Sequence, residues 1–250
     1  MGNEAPNERA ADGLLEVIVS SLEDALEAER GGAGRLEVVS HLELGGLTPN
    51  LETVQKICQH VAIPVRVMLR CSESHIPRPG EVEILAQQAE ILAALCVDGL
   101  VLGFLLEGQI DVASTRRVLS RAPNLRATFH RAFDEVTHPL PEVGRLKELR
   151  QVDRILTGGG DGPWETRAKR LENYQQAAAP EITILVGGGL DRVGIERLWS
   201  ATRLREFHTG RAVRVPGEAC GVVRAERVNE LVACLRGSLA GTSQYTILSS

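Results

Sequence analysis

Phe129-His130-Arg131-Ala132-Phe133-Asp134 crowds an imidazole, a guanidinium and a carboxylate against two of the four phenylalanines in a chain of 250 residues. A short apolar run ending in Thr128 leads into it, and a helical pattern opening at Pro139 follows. The stretch therefore reads as the loop leaving the C-terminal end of a strand, which is where α/β folds place their chemistry.

Outward from that loop the same grammar repeats. Apolar runs rich in β-branched residues occur at Leu15 to Val19, Arg35 to Val39, Val65 to Leu69, Gly99 to Leu102, Arg126 to Phe129, Arg154 to Thr157, Thr183 to Val186 and Glu206 to His208. Helical spacing separates them, at Leu22 to Arg30, Leu51 to Gln59, Glu81 to Leu95, Val112 to Ser120, Leu140 to Leu149, Glu165 to Ala178, Val193 to Ser200 and Ala225 to Leu235. Ser21, Asn50 and Asp191 stand where short side-chain oxygens satisfy the first amides of a helix. Eight β/α repeats in this length predict a single-domain (β/α)8 TIM barrel over 14–236, with a flexible leader at 1–13 and a C-terminal tail at 237–250. The competing doubly wound sheet needs a glycine-rich nucleotide loop after its first strand, and Val19-Ser20-Ser21-Leu22 contains no glycine.

Composition narrows the function. A net charge of -5 and only 3% aromatic residues argue against nucleic-acid binding. No run approaches the length of a membrane span, Met1 to Asp12 has no apolar core of the secretory kind, and the five cysteines form no Cys-x-x-Cys arrangement. A cytoplasmic protein with reduced thiols, independent of membranes, is expected.

A closed barrel brings side chains from distant repeats to one mouth. The candidates are Glu16, Glu37, Arg70, His130, Arg131, Asp134, His208 and Arg211, with glycines Gly158 and Gly159 after strand six and Gly187, Gly188 and Gly189 after strand seven. Glu16 and Glu37 interrupt otherwise apolar strands, and a buried carboxylate needs a charged partner or donors. Arg35, Arg66 and Arg70 are available, so the pair serves either an ion network bracing the barrel or chemistry. His130 is the proton-transfer candidate, with Asp134 to orient it. The glycine loops either permit tight turns or offer backbone amides to a phosphate, with Arg211 pairing the anion.

Leu15-Glu16-Val17, Arg35-Leu36-Glu37, Gly45-Gly46-Leu47-Thr48-Pro49, Phe129 to Asp134, Leu156-Thr157-Gly158-Gly159, Gly187-Gly188-Gly189 and Glu206-Phe207-His208 together give the chain its resemblance to the copper homeostasis protein CutC family. The resemblance implies a cytoplasmic TIM barrel and copper(I) bound through cysteine. Where the family commonly carries cysteine this chain has Ile18 and Val39, and where the family runs Arg-Pro-Arg after strand three it has Arg70-Cys71-Ser72. Copper(I) prefers thiolate and thioether ligands, which leaves Cys71, with Met68 beside it, as the sulfur near the mouth.

Three functions follow from these residues. The first is a CutC-like metal-binding protein. The second is an enzyme acting on a small phosphorylated or carboxylated carbonyl or sugar compound, with Glu16 or Glu37 and His130 exchanging protons and Arg70 or Arg131 stabilising oxyanion charge. The third is a non-catalytic scaffold, whose mouth is filled by its own side chains. A small anionic ligand and a homodimer are the expected partners.

Overall fold

The computed structural model describes residues 13–236; the leader expected at 1–13, apart from Gly13, and the tail at 237–250 lie outside the described residues. Eight parallel strands close into a barrel in chain order: β1 (Leu14–Val19), β2 (Arg35–Val38), β3 (Val65–Met68), β4 (Gly99–Leu102), β5 (Arg126–Phe129), β6 (Val152–Thr157), β7 (Thr183–Val186) and β8 (Glu206–Thr209). Helices α1 (Leu22–Arg30), α2 (Leu51–His60), α3 (Glu81–Ala93), α4 (Val112–Leu119), α5 (Pro139–Lys147), α6 (Trp164–Ala178), α7 (Arg192–Ala201) and α8 (Ala225–Cys234) follow them in turn. The (β/α)8 barrel read from the alternation is the fold. Among the described residues no helix is long and apolar enough to cross a membrane.

The start signals act as expected. Ser21 Oγ accepts the Asp24 amide at 3.1 Å, Asn50 Oδ1 that of Thr53 at 2.8 Å and Asp191 Oδ1 that of Gly194 at 2.8 Å. Boundaries move by a residue or two: β6 begins at Val152 and α5 ends at Lys147. Two features were not foreseen, a hairpin pairing Leu105–Leu106 with Gln109–Ile110 after β4 and an antiparallel pair of Arg214–Val215 with Val222–Val223 after β8. Strands of two residues are too short to carry a period of two.

Strand alternation divides the interior into two environments. Leu15, Val17 and Val19 of β1 turn outward into the core shared with α1, whereas Glu16 and Ile18 face the lumen. The lumen floor is charged. Glu16 binds Arg35, Arg35 binds Glu206 at 3.0 Å, and Glu206 takes a two-point bond from Arg154 at 2.6 and 2.9 Å. Arg154 reaches Asp153, which Arg66 grips at 2.7 and 2.8 Å while also holding Asp98 at 3.0 Å and Thr128 at 2.7 Å. The neighbouring strand explains Gly99, where a Cβ would meet the Arg126 backbone carbonyl at 2.6 Å, with the Arg66 guanidinium next to it at 3.4 Å. A larger residue there would push the backbones of β4 and β5 apart beside the buried Arg66.

Candidate functional site

Above the belt, at the strand C-termini, a cavity of about 750 Å³ opens to solvent. Glu37, His130, His208, Arg70, Arg131, Gly188, Gly189 and Arg211 all line it, so the folded chain collects most of the residues singled out in the sequence. A volume of this size suits a small organic molecule, and the scaffold reading of a mouth filled by its own side chains does not describe it.

Sheet register places the first cluster. Glu16 lies opposite Arg35 on one side and His208 on the other, and Glu37 is one row higher, opposite Ile18. Glu16 is saturated: one oxygen takes the Arg35 bond and Oε1 lies 2.8 Å from His208 Nδ1. Burial works to raise its pKa, but Arg35 and His208 outweigh burial and hold it far below the carboxylate range. Glu37 is different. Its Oε2 is 3.5 Å from His208 Nε2, its Oε1 has no hydrogen-bond partner, and the side chain is buried. Burial, with the nearby Glu16 charge adding to it, pushes this carboxyl up to about 7 against the pull of His208 and Arg35. His208 moves upward too, because bonding to Glu16 and the charges of both carboxylates overcome the burial that opposes its protonation. The two carboxylates that looked alike in sequence thus divide: Glu16 is tied into the ion network, and Glu37 keeps an oxygen without a partner and a raised pKa.

His130 is buried in the cavity wall. Its Nδ1 accepts the Ala132 amide at 3.2 Å, while Nε2 is buried without a partner. Burial, reinforced by His75 and Arg70, drives its pKa well below the ordinary value. The ring is therefore neutral near pH 7, and because Nδ1 accepts, its proton sits on Nε2. That leaves the Nε2–H as the ring's hydrogen-bond donor without a partner among the described residues. Asp134 does not orient it. Instead Asp134 holds Arg131 at 2.8 Å and accepts from the Thr157 hydroxyl and the Gly158 amide, because the Arg131–Glu135 turn swings its carboxylate toward β6. Gly103 makes room for the imidazole, since a Cβ there would lie 2.8 Å from Nδ1, and His75 covers the ring with centroids 5.0 Å apart.

The glycine loops divide as well. Gly158 donates to Asp134, Gly159 to Thr157 Oγ1 at 3.0 Å and Gly187 to the Thr157 carbonyl at 3.0 Å, so these three amides are not available to a ligand. Gly188 and Gly189, with φ of 80° and 76°, and Gly210 line the cavity, and among the described residues their amides have no partner. Arg167 of α6 sets this arrangement: it donates to the carbonyls of Gly158 at 2.6 Å, Gly187 at 3.3 Å and Gly188 at 3.2 Å, and stacks 3.6 Å over Trp164. Arg131 stands over Gly188, and the exposed Arg211 guanidinium makes no ion pair or hydrogen bond among the described residues. Arg70 is tied to the Gly45 and Glu73 carbonyls, and Thr48 binds its backbone, so Gly45 to Thr48 forms a clasp around it.

Sequence reading missed His75, Gly103 and Arg167. His75 sits in a loop without period, Gly103 is a single small residue, and Arg167 looks like any helical arginine until the two glycine loops meet it.

A closed (β/α)8 barrel with an ionisable cavity at its strand C-termini is a class shared by many proteins. The chain belongs to the CutC family, whose model matches residues 13–213. It is 36% identical over 203 residues to the mouse copper homeostasis protein cutC homolog, covering 78% of this chain and 72% of that protein. It is 35% identical over 218 residues to the human one, covering 83% and 77%. The crystal structure of a Streptococcus agalactiae copper homeostasis protein CutC superposes with a TM-score of 0.74 at 26% identity, covering 79% of this chain and 98% of that one.

The residues present fit copper(I) poorly. Ile18 and Val39 line the cavity as aliphatic side chains, and among the described residues Met68 is the one sulfur-bearing side chain in the lining. Cys71 is exposed and lies outside the cavity lining, because the chain turns away after Arg70, so the metal ligand expected at Cys71 is not brought to the site. Cys58 and Cys96 flank a shallow pocket with Val65 and Asp98, at the opposite end of the barrel. Glu16, Glu37 and His208 place ligand atoms within 4.8 Å of one another, but these are hard oxygen and imidazole donors, and Glu16 is already spent on Arg35.

Proposed function

We propose that this CutC-family barrel binds a small anionic carbonyl or sugar compound in its mouth and moves a proton on it. The observation that carries the reading is Glu37: a buried carboxyl among the residues lining the cavity, its Oε1 without a hydrogen-bond partner, whose burial pushes its pKa up to about 7, in the range for proton exchange at neutral pH. Arg211 and the amides of Gly188, Gly189 and Gly210 hold the anion. The Nε2–H of neutral His130 donates to the carbonyl oxygen as charge develops on it. His208, fixed by Glu16, balances the charge on Glu37 each time the carboxyl loses or regains its proton.

Copper homeostasis, the role named for the relatives, supplies the competing reading. It calls for copper(I) bound stoichiometrically under reducing conditions and weakened by Cys71→Ala. The experiment is a thermal-shift screen of phosphorylated and carboxylated carbonyl compounds run beside a copper(I) titration. A ligand at 100 times its dissociation constant stabilises the fold by roughly 2.7 kcal/mol, and Glu37→Gln is expected to retain that shift while losing turnover. Stoichiometric copper(I) without any anionic ligand would overturn the proposal.

A further inference from the structure

The cavity wall is polarised by strand number. Gly188 and Gly189 follow β7, Gly210 and Arg211 follow β8, and Arg131, paired with Asp134, follows β5, so amides without a partner and two guanidinium groups gather on this side of the rim, with the Asp191 carboxylate next to them. On the side from β1 to β3 an apolar cluster stands among Glu37, Arg70 and His75: Ile18, Val39 and Met68, with Leu42 in the turn after β2, pack with Val101 apart from the main core, and Ile18 adjoins Gly210. Val39 and Met68 are nearly sealed from solvent, and Ile18 and Leu42 are half-buried at the cavity. A strongly hydrated sugar would leave its hydroxyls unpaired against this wall, whereas the two adjacent glycines in left-handed conformation and Arg211 suit the several acceptor oxygens of a phosphate.

From this division we infer that the ligand is an amphipathic phosphate monoester, its phosphate at the β7 and β8 loops and an apolar, preferably aromatic, body against Ile18, Val39, Leu42 and Met68. The inference rests on the anion-binding reading and narrows it from carbonyl and sugar compounds in general to those with an apolar face. The wall lies directly above Glu37, whose β2 position is two residues from Val39, so the apolar body sits where it also keeps water from the proton-exchanging carboxyl.

Isothermal titration of the full chain with inorganic phosphate, glycerol phosphate, phenyl phosphate and naphthyl phosphate tests it. Phenyl phosphate should bind at least about tenfold more tightly than glycerol phosphate, and naphthyl phosphate more tightly again, as burial of ring surface predicts. Leu42→Ser, on a half-buried turn, and Val39→Ser should each reduce that preference severalfold and leave inorganic phosphate affinity unchanged. Arg211→Ala should weaken all four probes in parallel. Equal affinity for phenyl and glycerol phosphate, or a preference untouched by Leu42→Ser, would overturn the inference while the anion site stands. Failure of every probe to bind would overturn both.

Discussion

Glu16 and Glu37 each follow a leucine in an apolar strand, yet their neighbours give them opposite protonation behaviour. Glu16 is flanked by Arg35 and His208, whereas Glu37 meets only the far nitrogen of His208. The folded Glu37 keeps its proton up to about pH 7, while the unfolded chain releases it near its ordinary value of 4.5. Between those values the native state binds more protons, so the stability from this group is fully present below 4.5 and is lost as pH rises through about 7. Glu37→Gln lacks that slope. Denaturant titrations at several pH values should therefore show the variant gaining on the parent as pH rises, by at most about 1.4 kcal/mol per pH unit; parallel curves would contradict the assignment. For His130 the folded value lies below the unfolded one, so its contribution is present above about 6.5 and declines as pH falls. Nitrogen-15 NMR at pH 7 should show a neutral ring protonated at Nε2, and an imidazolium signal there would refute the donor role.

Loops become a site only through the elements that hold them. Arg167, one turn into α6, gathers three carbonyls from the loops after β6 and β7 and fixes which amides remain unpaired. Arg167→Ala should reduce phosphate affinity about tenfold, as expected for loss of charge-assisted bonds, and alter Trp164 fluorescence, with little change in midpoint temperature. A variant with unchanged affinity would show that the loops hold their shape unaided. Gly103→Ala places a methyl 2.8 Å from the His130 ring. Overpacking of this kind costs about 1–3 kcal/mol, and denaturant unfolding together with the Nε2 proton resonance would report both the loss and the displaced imidazole. His75 belongs at this scale, since the loop after β3 brings it over His130 and the Leu105 amide secures that loop through the His75 carbonyl at 2.9 Å.

For the molecule as a whole, the charged belt does the work that branched aliphatic layers do in many barrel interiors. Its energetic weight lies in mutual dependence: removing one partner leaves a buried opposite charge, which costs about 3–5 kcal/mol. Arg66→Ala leaves half-buried Asp153 with Arg154 alone and should reduce unfolding free energy by about 1.5–3 kcal/mol in urea titrations, whereas an effect below about 1 kcal/mol would mean the belt relaxes around the gap. The belt also decides what the mouth can do. By consuming Arg35, Arg66, Arg154 and Glu16 in bracing, it leaves Glu37 and His208 as the ionisable pair at the cavity floor.

The sequence by itself determined the eight β/α repeats, the three capped helix starts at Ser21, Asn50 and Asp191, and the gathering of Glu37, His130, His208 and Arg211 at one end. Each follows from local period, local capping or the rule that parallel strands end on the same face, and none requires knowledge of distant neighbours. Tertiary structure alone decided that Glu16 is bonded on both oxygens while Glu37 keeps one without a partner, that burial raises the Glu37 pKa and lowers that of His130, that Asp134 serves the β6 loop, and that Gly188 and Gly189 rather than Gly158, Gly159 and Gly187 keep free amides. Protonation and hydrogen-bond satisfaction depend on which groups lie within a few ångströms across the lumen, and that proximity is set by barrel closure and register between strands far apart in the chain.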